Sequence, residues 1–214
     1  MITVTIVILA ITCIVSFTAF SNEKIMEDLI FYPPAVTNQN QWYRFITSGF
    51  IHADILHLAF NMYSFYLFGR IVEEAFIQIF GDKGKILYIF LYIIALVVCL
   101  LPTYFNNKDN YYYRSLGASG AVSAVIFAGI FIFPTMKMGL FLIPVMVPGF
   151  VFGPIFLLLS AYLAKRGRGN INHSAHIWGG VFGIVFLIIC CQFLSDYRPV
   201  EIFVSQVTAY IRDL

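Results

Sequence analysis

Long apolar runs alternate along the chain with short polar punctuation. The runs lie at about residues 3–20, 54–72, 86–105, 116–134, 139–163 and 173–193. Each approaches the roughly 20 residues that a helix needs to cross a bilayer core. The pattern therefore predicts an all-α membrane protein with six spans, forming one domain over residues 1–214. The first connection, 21–53, and the tail, 194–214, are longer than the others, but neither is large enough for a second domain.

The runs differ in quality. The second holds His57, Asn61 and Arg70 and is followed by Glu73 and Glu74. Polar side chains at membrane depth are costly and face a bundle interior or a wet cavity, so this weakness marks a place of interest. The fifth carries Pro144, Pro148, Gly149, Gly153 and Pro154, residues that weaken a helix and allow it to bend, and it is the span expected to move. The first connection mixes Tyr32-Pro33-Pro34, Trp42, Tyr43 and Arg44, which suits a structured segment in the headgroup region. No basic residue precedes Lys24, so the first run reads as a retained anchor and not as a secretory leader.

Composition strengthens the membrane reading. Sixty per cent of residues are hydrophobic, only 11% are charged, and the mean hydropathy is +0.85. Such a chain could not cover its own surface with polar groups in water. The net charge of +2 is scattered, which argues against nucleic acid as a partner. Basic residues divide six against seven between the two faces, Arg168 being counted among the seven, so charge alone sets no orientation. Cys13, Cys99, Cys190 and Cys191 lie inside apolar runs without metal-ligand spacing, so neither a disulfide framework nor a zinc site is expected.

With six spans in alternation, the second, fourth and sixth enter from the same face. Each carries its unusual polar residues near its own start: His57 and Asn61, then Ser119, then His176. At 1.5 Å per residue these positions lie roughly 5–10 Å below that face, where they can converge on one cavity. A serine hydroxyl needs a neighbouring base to become a nucleophile, and a neutral imidazole is the usual one. Ser119 and His176 form such a pair, while Asn61, His57 and backbone N–H groups near Ser119 could hold an oxyanion. Gly117-Ala118-Ser119-Gly120 continues into Ala124 and Ala128, and Gly179 and Gly183 follow His176. Small-residue stripes let membrane helices approach closely, so the fourth and sixth spans are expected to be neighbours.

From Trp42 to Gly183 these residues resemble the rhomboid intramembrane serine proteases. Gly117-Ala118-Ser119-Gly120 is similar to the family's Gly-x-Ser-Gly nucleophile motif. Ala175-His176 with Gly179 and Gly183 is similar to its sixth-helix motif, and His57 to Asn61 to its His-x-x-x-Asn. The resemblance implies a six-transmembrane-helix rhomboid-like bundle with a Ser119–His176 catalytic dyad. It implies oxyanion or substrate binding by His57, Asn61 and Gly117, and structural support from Arg44, His52, Glu73, Gly120, Gly179 and Gly183. It further implies an extracytoplasmic active site, cytoplasmic termini, residence in the plasma or inner membrane, no cofactor, and transmembrane proteins of the lipid bilayer as substrates. A rhomboid-like protein that binds or escorts membrane helices without cutting them is the alternative. Two departures are visible: Tyr43 separates Trp42 from Arg44, and Ser123 stands where many members have an aromatic against the catalytic histidine. His176 is then expected to be held by another side chain, Trp178 or Tyr66, or to be more mobile.

Overall fold

A computed structural model describes residues 3–139, 146–166 and 171–214. Pro144 and Arg168, which entered the sequence reading, lie outside the described residues. The first helix, α1 (Val4–Phe20), begins where Thr3 accepts the Ile6 N–H, and nearly fills the first predicted run. The connection that follows is structured as expected: α2 (Glu23–Leu29), α3 (Pro33–Gln39), α4 (Arg44–Thr47) and a 3-10 turn over Ser48–Phe50. Proline supplies the first turn of α3, where a missing N–H costs nothing.

The next helix, α5 (Ile55–Phe80), is capped by Asp54 and runs eight residues beyond the predicted end at 72. Glu73 is the reason for the underestimate. By hydropathy a charge ends an apolar run, yet Glu73 is buried, and its carboxylate accepts the Val4 and Thr5 N–H groups at 2.7 and 2.9 Å and the Thr5 hydroxyl at 2.8 Å. The chain turns at Gly81, whose φ of 59° suits a residue without Cβ, and returns as α6 (Gly84–Val98). Pairing of Phe65 with Tyr92 and of Phe76 with Tyr88 shows that α6 runs back antiparallel along α5. The predicted third span, 86–105, is divided: Pro102 starts a separate short helix, α7 (Leu101–Asn107).

The serine helix, α8 (Ser119–Ile132), begins three residues later than predicted. Gly117 has a φ of 113°, which no helix allows, and the Gly117 and Ala118 N–H groups bond to Ser48 and His52 instead. Beyond α8, an antiparallel ribbon of β1 (Lys137–Met138) and β2 (Val147–Pro148) precedes α9 (Gly149–Arg166). The predicted fifth span, 139–163, therefore starts ten residues early. Its apolar run concealed the ribbon because hydropathy carries no register, whereas the Gly149 and Phe150 N–H groups bond across it to Met136 and Pro134. The last two helices are α10 (His173–Leu194), close to the predicted sixth span, and α11 (Pro199–Arg212) in the tail.

Among the described residues three helical stretches are long and apolar enough to cross a membrane: Ile55–Asn107, Gly149–Arg166 and His173–Leu194. Two further apolar helices, α1 and α8, have 17 and 14 residues. At the centre lies α8, buried along most of its length and packed by α5, α6, α9, α10 and α11. The largest core side chains around it include Phe65, Phe76, Tyr88, Tyr92 and Leu187.

Candidate active site

The starts of α5, α8 and α10 gather at one end of the bundle. There Ser119 Oγ and His176 Nε2 lie 2.8 Å apart and are hydrogen-bonded. Small residues permit this approach. A Cβ on Gly179 would collide with the Gly120 carbonyl, and one on Gly183 with the Ala124 carbonyl, so the two helices touch backbone to backbone. The expected neighbourhood of these two spans is present, with Gly120, Gly179 and Gly183 as its contact points.

All four histidines of the chain collect at this end. A Cβ on Gly117 would lie 2.8 Å from the His57 ring, so glycine opens the space that His57 occupies. His52 is fully buried 5.0 Å from the His57 ring. One of its ring nitrogens meets the Ser16 hydroxyl at 3.0 Å, and the other accepts the Ala118 N–H at 3.4 Å. Burial, reinforced by the neighbouring His57, pushes the His52 imidazole down to about 3, so it remains a neutral strut between α1 and the loop before Ser119. Asn61, one turn below His57, is buried and donates one amide hydrogen to the His57 carbonyl at 3.0 Å.

The Gly117 N–H is engaged by Ser48 at 2.9 Å. Its contribution is therefore to position the loop and admit His57. Because the helix starts at the serine itself, the first N–H groups of α8 have no intrahelical acceptor and point toward the site with the positive end of the helix dipole. A cavity of about 20 Å³ lies beside Ser119, bounded by Gly117, Cys99, Asn172 and Ala175, which is space for one water molecule.

Two predicted support residues act elsewhere. Arg44 is buried in the first connection, where its guanidinium donates to Gln41 Oε1 at 2.6 Å and to the Glu27 and Ile30 carbonyls at 2.8 and 2.6 Å, tying α4 to α2. Trp42 is exposed and stacks on Phe45, with Tyr104 beside it. Glu73 serves the opposite end of α5 from His57, as described above.

Several participants were not among the residues expected from the sequence. The aromatic against His176 is Phe156, from α9, with ring centroids 5.9 Å apart, whereas Trp178, one of the expected substitutes, is 46% exposed. Asn172 caps α10 by accepting the Ala175 N–H at 3.1 Å and reaches Thr103 at 3.0 Å and Ser115 at 3.4 Å, joining α7, the serine loop and α10. His173 lies 5.7 Å from His176, ring edge to ring face. The three-residue spacing of His173 and His176 on one helix would have revealed their proximity. Among the described residues no group of three or more His, Cys, Asp or Glu is arranged to hold a metal ion.

The chain as a whole is similar to known proteins. A family model described as the Rhomboid domain matches residues 39–193. Rhomboid-like protein 11, chloroplastic, of Arabidopsis thaliana is 28% identical over 162 residues, covering 72% of this chain and 54% of the relative. A putative rhomboid protease of Bacillus subtilis, YdcA, is 28% identical over 158 residues, covering 71% and 69%. The rhomboid protease GlpG of Haemophilus influenzae is 23% identical over 158 residues, covering 74% of each. The match thus spans little more than half of the chloroplastic relative's length. With apolar helices long enough to cross a bilayer and a domain match over most of its length, this chain is a multi-pass integral membrane protein that belongs to the rhomboid family.

Proposed function

We propose that the protein is an intramembrane serine endopeptidase that hydrolyses peptide bonds in or beside transmembrane segments of other membrane proteins. The observation that carries this reading is the 2.8 Å hydrogen bond between Ser119 and His176 on two helices locked backbone to backbone. In the proposed reaction Ser119 Oγ attacks the scissile carbonyl carbon while His176 Nε2 takes the hydroxyl proton. The oxyanion is held by the free N–H groups at the start of α8, by His57, and by the second amide hydrogen of Asn61. His176 then returns the proton to the leaving amine as the C–N bond breaks. A water molecule, deprotonated by the same imidazole, then attacks the acyl carbon, and the bond from that carbon to Ser119 Oγ breaks as the imidazolium returns the proton to Oγ.

In the same reading, α1, α5, α6, α8, α9 and α10 are the six crossings of one domain over residues 1–214. The site opens on the extracytoplasmic side of the plasma or inner membrane, and both termini are cytoplasmic. A substrate helix must unwind locally to present its carbonyl, because a helical carbonyl is already bonded within the helix.

The test is labelling of the detergent-purified protein with a serine-reactive fluorophosphonate. Wild type is expected to label, and Ser119→Ala and His176→Ala to lose the label while still eluting as folded protein. A folded wild type that stays unlabelled across several detergents and lipids would replace this reading with that of a helix-binding protein.

A further inference from the structure

The polar groups at the start of α10 do not all belong to the dyad. Beside it lies a second cavity of about 230 Å³, with Thr103, Asn106 and Asn107 on α7, Tyr113 on the following loop, and His173 and Ser174 on α10 among its walls. This space is large enough for several water molecules, and its polar walls supply their partners. His173 stands between it and the dyad: one side of the half-buried imidazole faces the cavity and the ring meets that of His176 at 5.7 Å and 86°.

Resting on the dyad assignment above, we propose that His173 is a positioning residue that reports external pH to the dyad: neutral, it tolerates a cationic His176, and protonated, it opposes one. The physical basis is proximity. General-base catalysis requires His176 to become an imidazolium, and a second positive charge within about 6 Å raises the cost of that step by at least a factor of ten at an effective dielectric near 20. His173 lines the polar cavity and has water at hand there, whereas His176, also half-buried, has its Nε2 engaged by Ser119 and the Phe156 ring against it.

The other charged and titratable groups around His173 have partners or positions of their own. His57, across the site, interacts electrostatically with His176 and has Asp54 beside it. The Tyr113 phenol is pushed upward by burial and stays neutral. On α9, Lys165 and Arg166 follow the cavity residues Leu163 and Ala164, and Arg166 folds over the Tyr162 ring at 4.6 Å. Lys108 and Asp109 follow α7 with opposite charges. His173 is thus the group of this cavity wall whose ordinary ionisation falls between pH 5 and 8.

The experiment measures the rate of fluorophosphonate labelling from pH 5 to 9 for wild type, His173→Gln and His173→Arg. In parallel, the His176 ring resonance is titrated by NMR in detergent-solubilised, histidine-labelled protein. In His173→Gln the acid midpoint of labelling is expected to move down by about one pH unit, and the His176 titration to lose its inflection near that of His173. In His173→Arg, which carries the charge at every pH, labelling is expected to fall at least about tenfold throughout. His173→Asn serves in place of Gln if the first turn of α10 is disturbed. An unchanged acid midpoint in a labelled, folded Gln or Asn variant overturns the proposal. The NMR titration judges the coupling even if wild type fails to label, in which case the dyad reading falls first. A structural role alone would lower the rate or the stability without moving either midpoint.

Discussion

The interface between α8 and α10 and the one between α9 and the same two helices are built in opposite ways. At the first, Gly179 and Gly183 press against the carbonyls of Gly120 and Ala124, so neither helix can shift without separating backbone from backbone. At the second, contact is made by side chains: Phe156 meets Phe127 and His176 with ring centroids 5.9 Å apart in each case, and a Cβ at Gly153 would find Phe127 and Ile130 at 3.4 and 3.6 Å, ordinary contact distances. Only Gly149, Gly153 and Ser160 are buried on α9 among its described residues, and Pro154 interrupts its hydrogen-bond ladder. The serine and histidine are therefore carried by a pair in backbone contact, while the wall beside them is attached through side chains. On the proposed function, such a pairing would join fixed chemistry to movable access for a substrate helix.

The same substitution placed in each interface should break this comparison if it is wrong. Gly183→Val is expected to cost about 3 kcal/mol or more, because the new side chain meets backbone that cannot yield, and Gly153→Val about 1 kcal/mol or less. Thermal unfolding in detergent would compare them, and equal losses would show that the two interfaces are not different in kind. Next in size is Glu73→Gln, at the far end of α5. It removes a charged acceptor from two N–H groups and a hydroxyl and is expected to cost about 2 kcal/mol, read in the same assay.

His52 sharpens the backbone-contact side through pH. Its imidazole titrates at about 3 when folded and near 6.5 when free, so the unfolded chain takes up the proton first. Stability supplied by neutral His52 is full above about pH 6.5, falls by about 1.4 kcal/mol per pH unit below it, and levels off near 3. His52→Gln should flatten that slope in unfolding measured from pH 7 to 5. The smallest effect on stability belongs to Phe156→Ala, which loosens the wall attached through side chains. Unfolding should change by about 1 kcal/mol or less while fluorophosphonate labelling changes severalfold, the separation of the two readouts being the result that matters.

Periodicity and residue type made much of this arrangement legible. The close pairing of the serine and histidine helices followed from Gly120, Ala124, Gly179 and Gly183, and the convergence of His57, Ser119 and His176 from their shared depth. Boundaries were harder wherever a local rule was overruled by a distant partner. Glu73 looked like the end of a helix because its partners, Val4 and Thr5, are 69 and 68 residues away. The start of α8 was misplaced because Ser48 and His52 hold residues 117 and 118 out of the helix. Phe156 could not be found from the vacancy at Ser123, since an aromatic from any neighbouring helix can fill such a space once the helices are packed.

The bond from Glu73 to the beginning of α1 also orders the making of the protein. The first helix emerges from the ribosome long before its acceptor does, so the leading N–H groups must be satisfied by water or lipid headgroups while some 68 further residues are synthesised. Until α5 has been made, α1 is held only by contacts nearer in sequence, such as the Ser16 hydroxyl on the Phe50 carbonyl, and its leading N–H groups lack their carboxylate. The start of α1 is thus completed by a segment synthesised some 68 residues later.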